Sequence, residues 1–386
     1  MLLNNLFYCK MNQTKKILII GANGASSELL PELITELLPA GFDFSLLGEK
    51  FFQLNRFFAD KKLPRKRAWF GPKNIILSSL LRPWFCLIWL VRFGYRRYQK
   101  NLDTVICIGI RVQSAIQLPA RLLKIKTICL ILPEDALLQA KQAKKRLLRA
   151  VRGTVLVVFL ERSREQLLQS GCSAEQIKLV RPGIRLHQHK FQENIFHKIA
   201  QAETQTKKFF NIGLLNGLET EEQVTELELI FQAIRQARLI IPNIQLIVLG
   251  EGRQKKKLLW LAKKMEMESL VWLVGEQLHL RKWLDSFDAF LAIKTKPTLD
   301  DFLLVLKTME AELPVIAPAD VGFEELIDDG INGLLTGAPS SEALATQIIR
   351  LKQDKRLMLR LSQAARERVE KQFNLEGVVE IFKKLL

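Results

Sequence analysis

The sequence predicts an α/β protein made of two domains, each with a parallel β-sheet flanked by helices. Its 386 residues suffice for two domains of ordinary size, and 48% are apolar, which allows each domain a core. Short apolar runs typical of buried strands alternate with segments of helical period, which indicates parallel sheets with right-handed crossovers. Residues 185–208 are polar and have no apolar period, so we interpret them as the interdomain linker.

The N-terminal half, residues 11–184, begins with the apolar run KKILII and continues as alternating strands and helices. Strands are predicted at residues 15–20, 42–47, 103–110, 126–132, 154–160 and 176–180. Helices are predicted at residues 28–38, 113–123, 135–151 and 162–170. Residues 1–10 have no charged n-region and no cleavage site, so we predict no signal peptide, and Met11 is an alternative start.

The C-terminal half, residues 209–373, repeats this alternation. Strands are predicted at residues 209–215, 244–249, 270–274, 289–293 and 314–318, with a further one after the turn at 328–333. Thr220 and Gln223 have capping-box spacing before a helix whose apolar face is Val224, Leu227, Phe231 and Ile234. An amphipathic helix is predicted at residues 374–386.

A helix predicted at residues 302–312 is the centre of the candidate site. Three apolar residues share one of its faces: Leu303, Leu306 and Met309. Asp300 or Asp301 is the predicted N-cap, because a carboxylate accepts the free backbone N–H groups of a helix start. Those N–H groups and the partial positive charge would suit a nucleotide diphosphate. The alternative is an ordinary helix packed between strands.

Residues 309–335 match a known family in order and spacing. The matching residues are Met309, Pro314-Val315-Ile316-Ala317, Gly322, Glu324 or Glu325, and Gly330-Ile331-Asn332-Gly333-Leu334-Leu335. Asp329-Gly330 and Asn332-Gly333 also suit positions of positive φ. The chain therefore resembles the family-4 retaining glycosyltransferases of the GT-B fold, well over residues 209–386 and weakly before them.

The resemblance implies two Rossmann-like domains that face each other across a cleft. Residues 11–184 would face the acceptor and the membrane, residues 209–373 would bind a nucleotide-sugar donor, and the final helix, 374–386, would pack back on the first domain. The implied activity is transfer of the sugar to a cell-envelope glycan or glycolipid, with retention and with no metal or other cofactor. A catalytically inactive GT-B scaffold that binds a partner or an anionic membrane is the alternative.

Several charged donor-site positions of the family are replaced here. The family's second glutamate falls on Lys307, and its first falls on Leu299, or on Asp300 if one residue is deleted. Glu312 stands where the family has a glycine before the proline. Leu214 follows Gly213 where the family has an arginine. The family's lysine is missing from a zone occupied by Glu219, Glu221 and Glu222. Arg253, Lys294 and Lys296 are candidate substitutes, with solvated surface charges as the alternative.

These positions give the predicted site. The donor-binding candidates are Gly213, Gly252, Arg253, Lys294, Lys296, Asp301, Phe302 and Lys307. The catalytic candidates are Glu134 and Asp300, although Glu134 could instead cap the basic helix that follows it.

Gly21 and Gly24, in GANGASS, form the predicted acceptor loop. The third glycine of a dinucleotide fingerprint is absent and no tyrosine has a lysine four residues later. A tight strand–helix turn is therefore favoured over a reductase's NAD site.

The net charge of +18 calls for an anionic partner. Residues 61–100 contain eleven lysines and arginines, no acidic residue and many aromatics. We predict that this region binds an anionic membrane surface, which places the protein in the cytoplasm on the inner face of the cell membrane. Nucleic acid ranks lower because no motif for it is present. A transmembrane anchor ranks third, since only eight apolar residues run together after Pro83, far short of the roughly 20 needed to span a bilayer.

The thiols and imidazoles form no recognisable ligand set. The five cysteines are scattered without a C-x-x-C pair, which is typical of reduced thiols in the cytosol. His187 and His189 alternate in a predicted loop, where solvation is favoured over metal binding.

Overall fold

The computed structural model describes residues 15–21, 28–48, 54–67, 82–100, 102–135, 144–187, 209–275, 277, 279–337 and 340–386. The chain forms two compact units, one made of residues 1–182, 298–300 and 375–386 and the other of residues 183–297 and 301–374. Each unit contains a parallel β-sheet flanked by helices, so the predicted fold class is confirmed.

The first unit is built on a seven-stranded sheet. Its strands are β1 Lys15–Gly21, β2 Phe42–Gly48, β3 Arg65–Arg67, β4 Leu102–Ile108, β5 Lys126–Ile131, β6 Val155–Val158 and β7 Ile177–Leu179. They are all parallel, in the order β3-β2-β1-β4-β5-β6-β7. Strand β3 lies at the edge of the sheet and was not predicted, because its three basic residues carry no apolar signal.

The helices that the structure describes before residue 182 flank this sheet. They are α1 Leu29–Leu37, α2 Leu54–Asp60, α3 Arg82–Lys100, α4 Ile110–Leu122, α5 Lys144–Ala150 and α6 Glu161–Gln169. Trp89 and Phe93, one turn apart on α3, are fully buried with ring centroids 5.3 Å apart. None of the helices within the described ranges combines the length and apolar character needed to cross a bilayer.

The second unit is built on a six-stranded parallel sheet. Its strands are β8 Phe210–Leu215, β9 Ile244–Leu249, β10 Val271–Gly275, β11 Ala289–Leu291, β12 Val315–Pro318 and β13 Leu334–Thr336, in the order β10-β9-β8-β11-β12-β13. Its helices are α7 Glu221–Arg238, α8 Lys255–Lys264, α9 Leu280–Leu284, α10 Leu299–Glu310, α11 Ser341–Gln353 and α12 Lys355–Gln372. The first two residues of α10 belong to the first unit.

Helix α7 begins with the predicted capping box. The Thr220 hydroxyl accepts from the backbone N–H of Gln223 at 3.3 Å, and the Gln223 side chain accepts from the N–H of Thr220 at 3.0 Å. The predicted apolar face is buried throughout: Val224, Leu227, Phe231 and Ile234. Both predictions are confirmed, because local spacing alone determines the cap and the buried stripe.

Helix α10 begins three residues earlier than predicted. Asp300 and Asp301 therefore lie inside its first turn, and the prediction that one of them is the N-cap was wrong. Their negative charges still interact favourably with the helix dipole there. The predicted apolar face is buried, and Phe302 and Val305 are buried as well, so the helix is covered on more than one side.

The turn after α10 explains the family's glycine before the proline. Glu312 occupies that position with φ +57°, the left-handed conformation in which glycine is unstrained. The Leu313 N–H donates to Thr308 O at 3.2 Å, which closes the helix end.

In the later turn Gly330 has the predicted positive φ, +71°. The prediction was wrong for Asp329, Asn332 and Gly333, none of which has a positive φ. Gly333 is small for another reason, since a Cβ there would lie 2.8 Å from Ile327.

Helix α13, Leu375–Leu385, belongs to the first unit and contacts α1. Its buried residues follow the helical period: Leu375, Val378, Val379 and Phe382. The lysines Lys383 and Lys384 lie in its last turn, where positive charge complements the helix dipole.

Candidate functional site

Each sheet has one point at which the strand order reverses. In the first sheet this point lies between β1 and β4, and in the second it lies between β8 and β11. Ligands of open α/β sheets bind outside the carboxyl ends of the strands at such points. The loops that leave β1, β4, β8 and β11 are therefore the first places to search for a site.

In the second unit, two loops at this edge are in backbone contact. A Cβ on Gly250 would lie 1.9 Å from the carbonyl oxygen of Asn216, and one on Gly252 would lie 2.2 Å from that of Leu218. Leu218 itself has φ +48°, an uncommon conformation for leucine that costs on the order of 1–3 kcal/mol. Gly252, predicted to bind the donor, is thus required for the loop after β9 to pack on the loop after β8.

Asn216, directly after β8, was missed by sequence reasoning. Its side chain is 1% exposed, and its Oδ1 accepts from the N–H of Leu218 at 3.3 Å. Its Nδ2 donates to no group in the described part of the chain. A buried donor at the carboxyl end of the switch-point strand is suited to a ligand oxygen. The available signal was the position of a polar residue immediately after a predicted strand.

The loop after β11 is fixed by a buried carboxylate. Glu226 on α7 accepts from the N–H of Thr295 at 2.8 Å and from its hydroxyl at 2.9 Å. The next residue along the loop, Lys296, pairs with Glu222 at 2.7 Å. The preceding residue, Lys294, lines a small cavity together with Asp301 and apolar side chains of β11 and α10. The loop is therefore held rigidly, with Lys294 beside the start of α10.

The three candidate substitutes for the family's basic pair differ in their partners. Arg253 lies 3.0 Å from Glu219, and the two side chains are largely exposed. The hydrogen bond that Lys296 donates to the Glu222 carboxylate raises the pKa of Lys296. Lys294 makes no ion pair with any carboxylate among the residues that the structure describes. Lys294 is consequently the cation most available to a phosphate.

The remaining donor-site candidates lie in different surroundings. Gly213 is on β8, and a Cβ there would lie 2.0 Å from the ring of Phe287, so the glycine makes room for that ring. Phe302 is fully buried with its ring centroid 5.0 Å from that of Phe323, so only its backbone could contact a ligand. Lys307 is half-buried about two turns from the start of α10.

In the first unit, Asp135 holds the start of α4. Its carboxylate accepts from the backbone N–H groups of Leu132, at 3.2 Å, and Ile110. A Cβ on Gly109, which has φ +86°, would lie 3.3 Å from the Asp135 carboxylate. Burial raises the pKa of Asp135 to about 6. This residue is a helix cap contributed by the neighbouring loop.

Glu134 lies beside it, and its Oε2 accepts from the N–H of Leu299 at 3.3 Å. Burial raises its pKa from an ordinary 4.5 to about 7, with smaller contributions from the charges of Asp135 and Asp300. Asp300 accepts from the N–H of Glu28, just after the β1 loop, at 2.7 Å. The two predicted catalytic residues thus come together in the first unit, at the carboxyl edge of its sheet.

Two further predictions concern this edge. Gly21 is the last residue of β1 and is paired with Gly48 and Ile108 on the neighbouring strands. Gly24 lies outside the described residues, and so does the rest of its loop. The alternative role for Glu134, capping the basic helix, involves residues 136–143, which also lie outside them.

Known proteins resemble part of this chain in sequence. Residues 196–368 match the family model "Glycosyl transferases group 1". N-acetyl-alpha-D-glucosaminyl L-malate synthase of Bacillus anthracis is 27% identical over 181 residues, 46% of each chain. The amylovoran biosynthesis glycosyltransferase AmsK of Erwinia amylovora is 26% identical over 218 residues, 54% of this chain and 50% of that one. The chain spans about half the length of these relatives.

The fold is shared over nearly the whole chain. The crystal structure of Anabaena HepE in complex with UDP superposes with a TM-score of 0.75, covering 96% of this chain and 99% of that one at 15% identity. Sucrose-phosphate synthase from Thermosynechococcus elongatus gives a TM-score of 0.69 at 17% identity, covering 96% and 98%.

Proposed function

We propose that this chain, which resembles GT-B glycosyltransferases in fold and in its C-terminal sequence, transfers a sugar from a nucleotide-sugar donor to a cell-envelope glycan or glycolipid. The observation that carries the proposal is the second unit's switch point. There the buried Asn216 amide, which has no acceptor in the described part of the chain, and Lys294, which forms no ion pair with a described carboxylate, follow neighbouring strands at one sheet edge. Lys294 shares a small cavity with Asp301 of α10. Curated relatives named for polysaccharide and lipopolysaccharide synthesis support the acceptor class.

The donor's diphosphate would be held by electrostatics. The partial positive charge at the start of α10 and the Lys294 ammonium both favour negative charge, which accumulates on the leaving diphosphate as the glycosidic bond breaks. The Asn216 amide would donate to a donor oxygen. We further propose that this charge is stabilised without a metal and that transfer retains configuration, as the family resemblance implies.

The acceptor's hydroxyl would meet Glu134. A carboxyl group with a pKa near 7 exchanges a proton readily at neutral pH, so its ionised form can accept the hydroxyl proton as the new glycosidic bond forms. Asp135 would keep the loop in place, because its carboxylate is engaged with two backbone N–H groups.

A scaffold without catalysis is the second candidate. It is favoured by the ion pairs of Arg253 and Lys296, in which glutamates neutralise two of the three cations at the donor edge. Calorimetric titration with UDP and UDP-glucose separates the two candidates. A glycosyltransferase should bind at least one of them in the micromolar to millimolar range, whereas flat titrations with these and other nucleotide sugars would support the scaffold.

Lys294→Ala should weaken binding of UDP by about 1–3 kcal/mol, the usual contribution of a hydrogen bond to a charged group. Lys296→Ala and Arg253→Ala should cost less, because each cation already has a carboxylate partner. Lys256→Ala, an exposed lysine on α8, is the matched control and should leave the affinity unchanged. An unchanged affinity in Lys294→Ala would contradict the role of this lysine.

We also propose that residues 61–100 bind an anionic membrane surface. On α3, five apolar or aromatic side chains are exposed on the side opposite the buried Trp89 and Phe93: Leu87, Ile88, Val91, Tyr95 and Tyr98. Arg92 and Arg97 of the same helix are exposed as well. Apolar groups near the headgroups combined with arginines on anionic lipid are the basis of interfacial helix binding.

In liposome flotation, the protein should float with vesicles containing phosphatidylglycerol and not with phosphatidylcholine alone. Binding should fall when salt rises, since exposed charges act over about 8–10 Å at physiological ionic strength. Val91→Ser combined with Tyr98→Ser should weaken vesicle binding. Leu239→Ser, which replaces an exposed leucine of the second unit, should not. Equal flotation with both vesicle types would rule out this surface.

A further inference from the structure

The first unit has a cavity at the edge of its sheet where the strands begin, opposite the edge that holds Glu134. Its volume is about 440 Å³. It lies between the end of α4 and the starts of β5 and β6, and it is lined by Arg121, Lys124, Thr127, Arg152 and Thr154. Because Glu134 follows the carboxyl end of β5, the strand itself separates this cavity from the candidate acceptor site.

The rim of the cavity is positively charged. Arg121, Lys124 and Arg152 are exposed, and none of them forms an ion pair with a carboxylate in the described part of the chain. Two carboxylates on neighbouring elements, Asp103 and Glu175, are not among the lining residues. Three unneutralised cations around one concavity create a positive potential that favours an anion.

The floor of the cavity offers a hydroxyl donor. Thr127 and Thr154 are buried with their hydroxyl oxygens 3.0 Å apart, and Gln113 donates its Nε2 hydrogen to Thr154 Oγ1 at 2.7 Å. Only one of the two hydroxyl hydrogens can lie between the two oxygens. The other has no acceptor among the described residues, since Gln113 Oε1 takes part in no hydrogen bond. With the Gln113 amide donating to Thr154, one threonine O–H is left for a ligand oxygen.

We propose that this cavity binds a phosphate group, carried by a soluble phosphate compound or by a lipid headgroup. A phosphate presents several acceptor oxygens with negative charge, which matches two guanidinium groups, one ammonium group and one hydroxyl donor. A cavity of this volume also has room for the group that the phosphate is attached to. The site is independent of the proposed transfer chemistry, because it needs neither donor nor acceptor.

Methyl NMR of the full chain labelled at threonine and isoleucine tests the site directly, with inorganic phosphate as the soluble probe. The methyl signals of Thr127 and Ile125, both at the cavity, should shift and saturate as phosphate is added. The double variant Arg121→Ser/Arg152→Ser should weaken this response about tenfold or more. The matched control is Arg235→Ser/Arg238→Ser, which removes two exposed arginines from α7 and should leave the response intact.

The lipid source is tested by flotation with phosphatidylcholine vesicles with and without phosphatidic acid. If a headgroup is the ligand, the double variant should lose binding to phosphatidic acid at least tenfold more than the control variant does. Saturable phosphate binding with vesicle binding unchanged would assign a soluble compound. Non-saturating shifts at Thr127 and Ile125, or equal responses in the double variant and the control, together with unchanged vesicle binding, would overturn the proposal.

Discussion

Replacing Glu134 with glutamine is expected to lower the rate of glycosyl transfer about 100-fold or more, the lower range of losses when a proton-accepting group is removed. Glutamine keeps the size of the side chain and its oxygen can still accept from the N–H of Leu299, so the fold should persist. It cannot accept a proton at neutral pH. The rate with UDP-glucose and a glycan or lipid acceptor is the measurement.

The same residue should set the pH dependence of the rate. With a pKa of about 7, the ionised fraction of Glu134 rises roughly tenfold between pH 5 and pH 6 and then levels off above pH 7. The rate of the wild type should follow this fraction. Glu134→Gln should show no such rise, and Glu175→Gln, an exposed glutamate of the same unit, should behave as the wild type does. A rise that persists in Glu134→Gln would assign it to another group.

Stability provides a readout that is independent of activity. The folded state holds the Glu134 proton up to about pH 7, whereas the unfolded chain loses it near pH 4.5. The charged form is therefore disfavoured by folding, and the free energy of unfolding should fall as the pH rises from 4.5 to 7. The raised pKa of Asp135 also makes the free energy of unfolding fall as the pH rises, but only up to about pH 6. Between pH 6 and 7, Glu134→Gln should flatten the fall, which thermal unfolding can measure.

Replacing Arg366 with alanine should destabilise the second unit by about 3–5 kcal/mol, the usual cost of removing one partner from a buried ionic network. Arg366 on α12 is 6% exposed, and it donates to the carbonyl oxygen of Glu310 at 3.1 Å and to that of His187 at 3.3 Å. It also pairs with Glu370 at 2.7 Å and lies 3.6 Å from the buried Glu312 carboxylate. The alanine variant deprives the Glu312 carboxylate of the neighbouring positive charge of Arg366.

Urea unfolding followed by tryptophan fluorescence measures this loss. Arg356→Ala removes an exposed arginine from the same helix and should change the free energy of unfolding by less than about 0.5 kcal/mol. Glu312→Gly combined with Arg366→Met should be less damaging than Arg366→Ala, because it removes both charges and relieves the positive φ at residue 312. A loss in Arg366→Ala no larger than in Arg356→Ala would contradict the network's importance.

The strands of the two sheets could largely be predicted from the sequence, whereas the ionic network around Arg366 could not. Buried strands such as KKILII are readable because an apolar run without alternation has few other uses in a soluble α/β unit. The network joins His187 to Arg366, which are 179 residues apart, and no local pattern carries that information. Glu312 could be read only as a departure from the family's glycine.

Local patterns in the sequence indicate some of the candidate site residues and not others. Lys294 and Asp301 could be found because each stands beside a predicted strand or helix end, where ligands bind. The pairing of Lys296 with Glu222 could not, since it depends on how α7 lies against the loop after β11. Asn216 carries no signal in the sequence beyond its position after a strand, because its interest depends on burial and on an amide that has no acceptor in the described part of the chain.

The position of α13 has a consequence for biosynthesis. All seven strands of the first unit have been synthesised once residue 179 is added to the chain. The helix that covers part of α1 ends only at residue 385. A ribosome adds roughly 5–20 residues per second, so about 10–40 s separate the two. During that interval the apolar surface of α1 that α13 later covers is exposed on the nascent chain. We expect this stage of synthesis to depend most on chaperones that shield apolar surfaces.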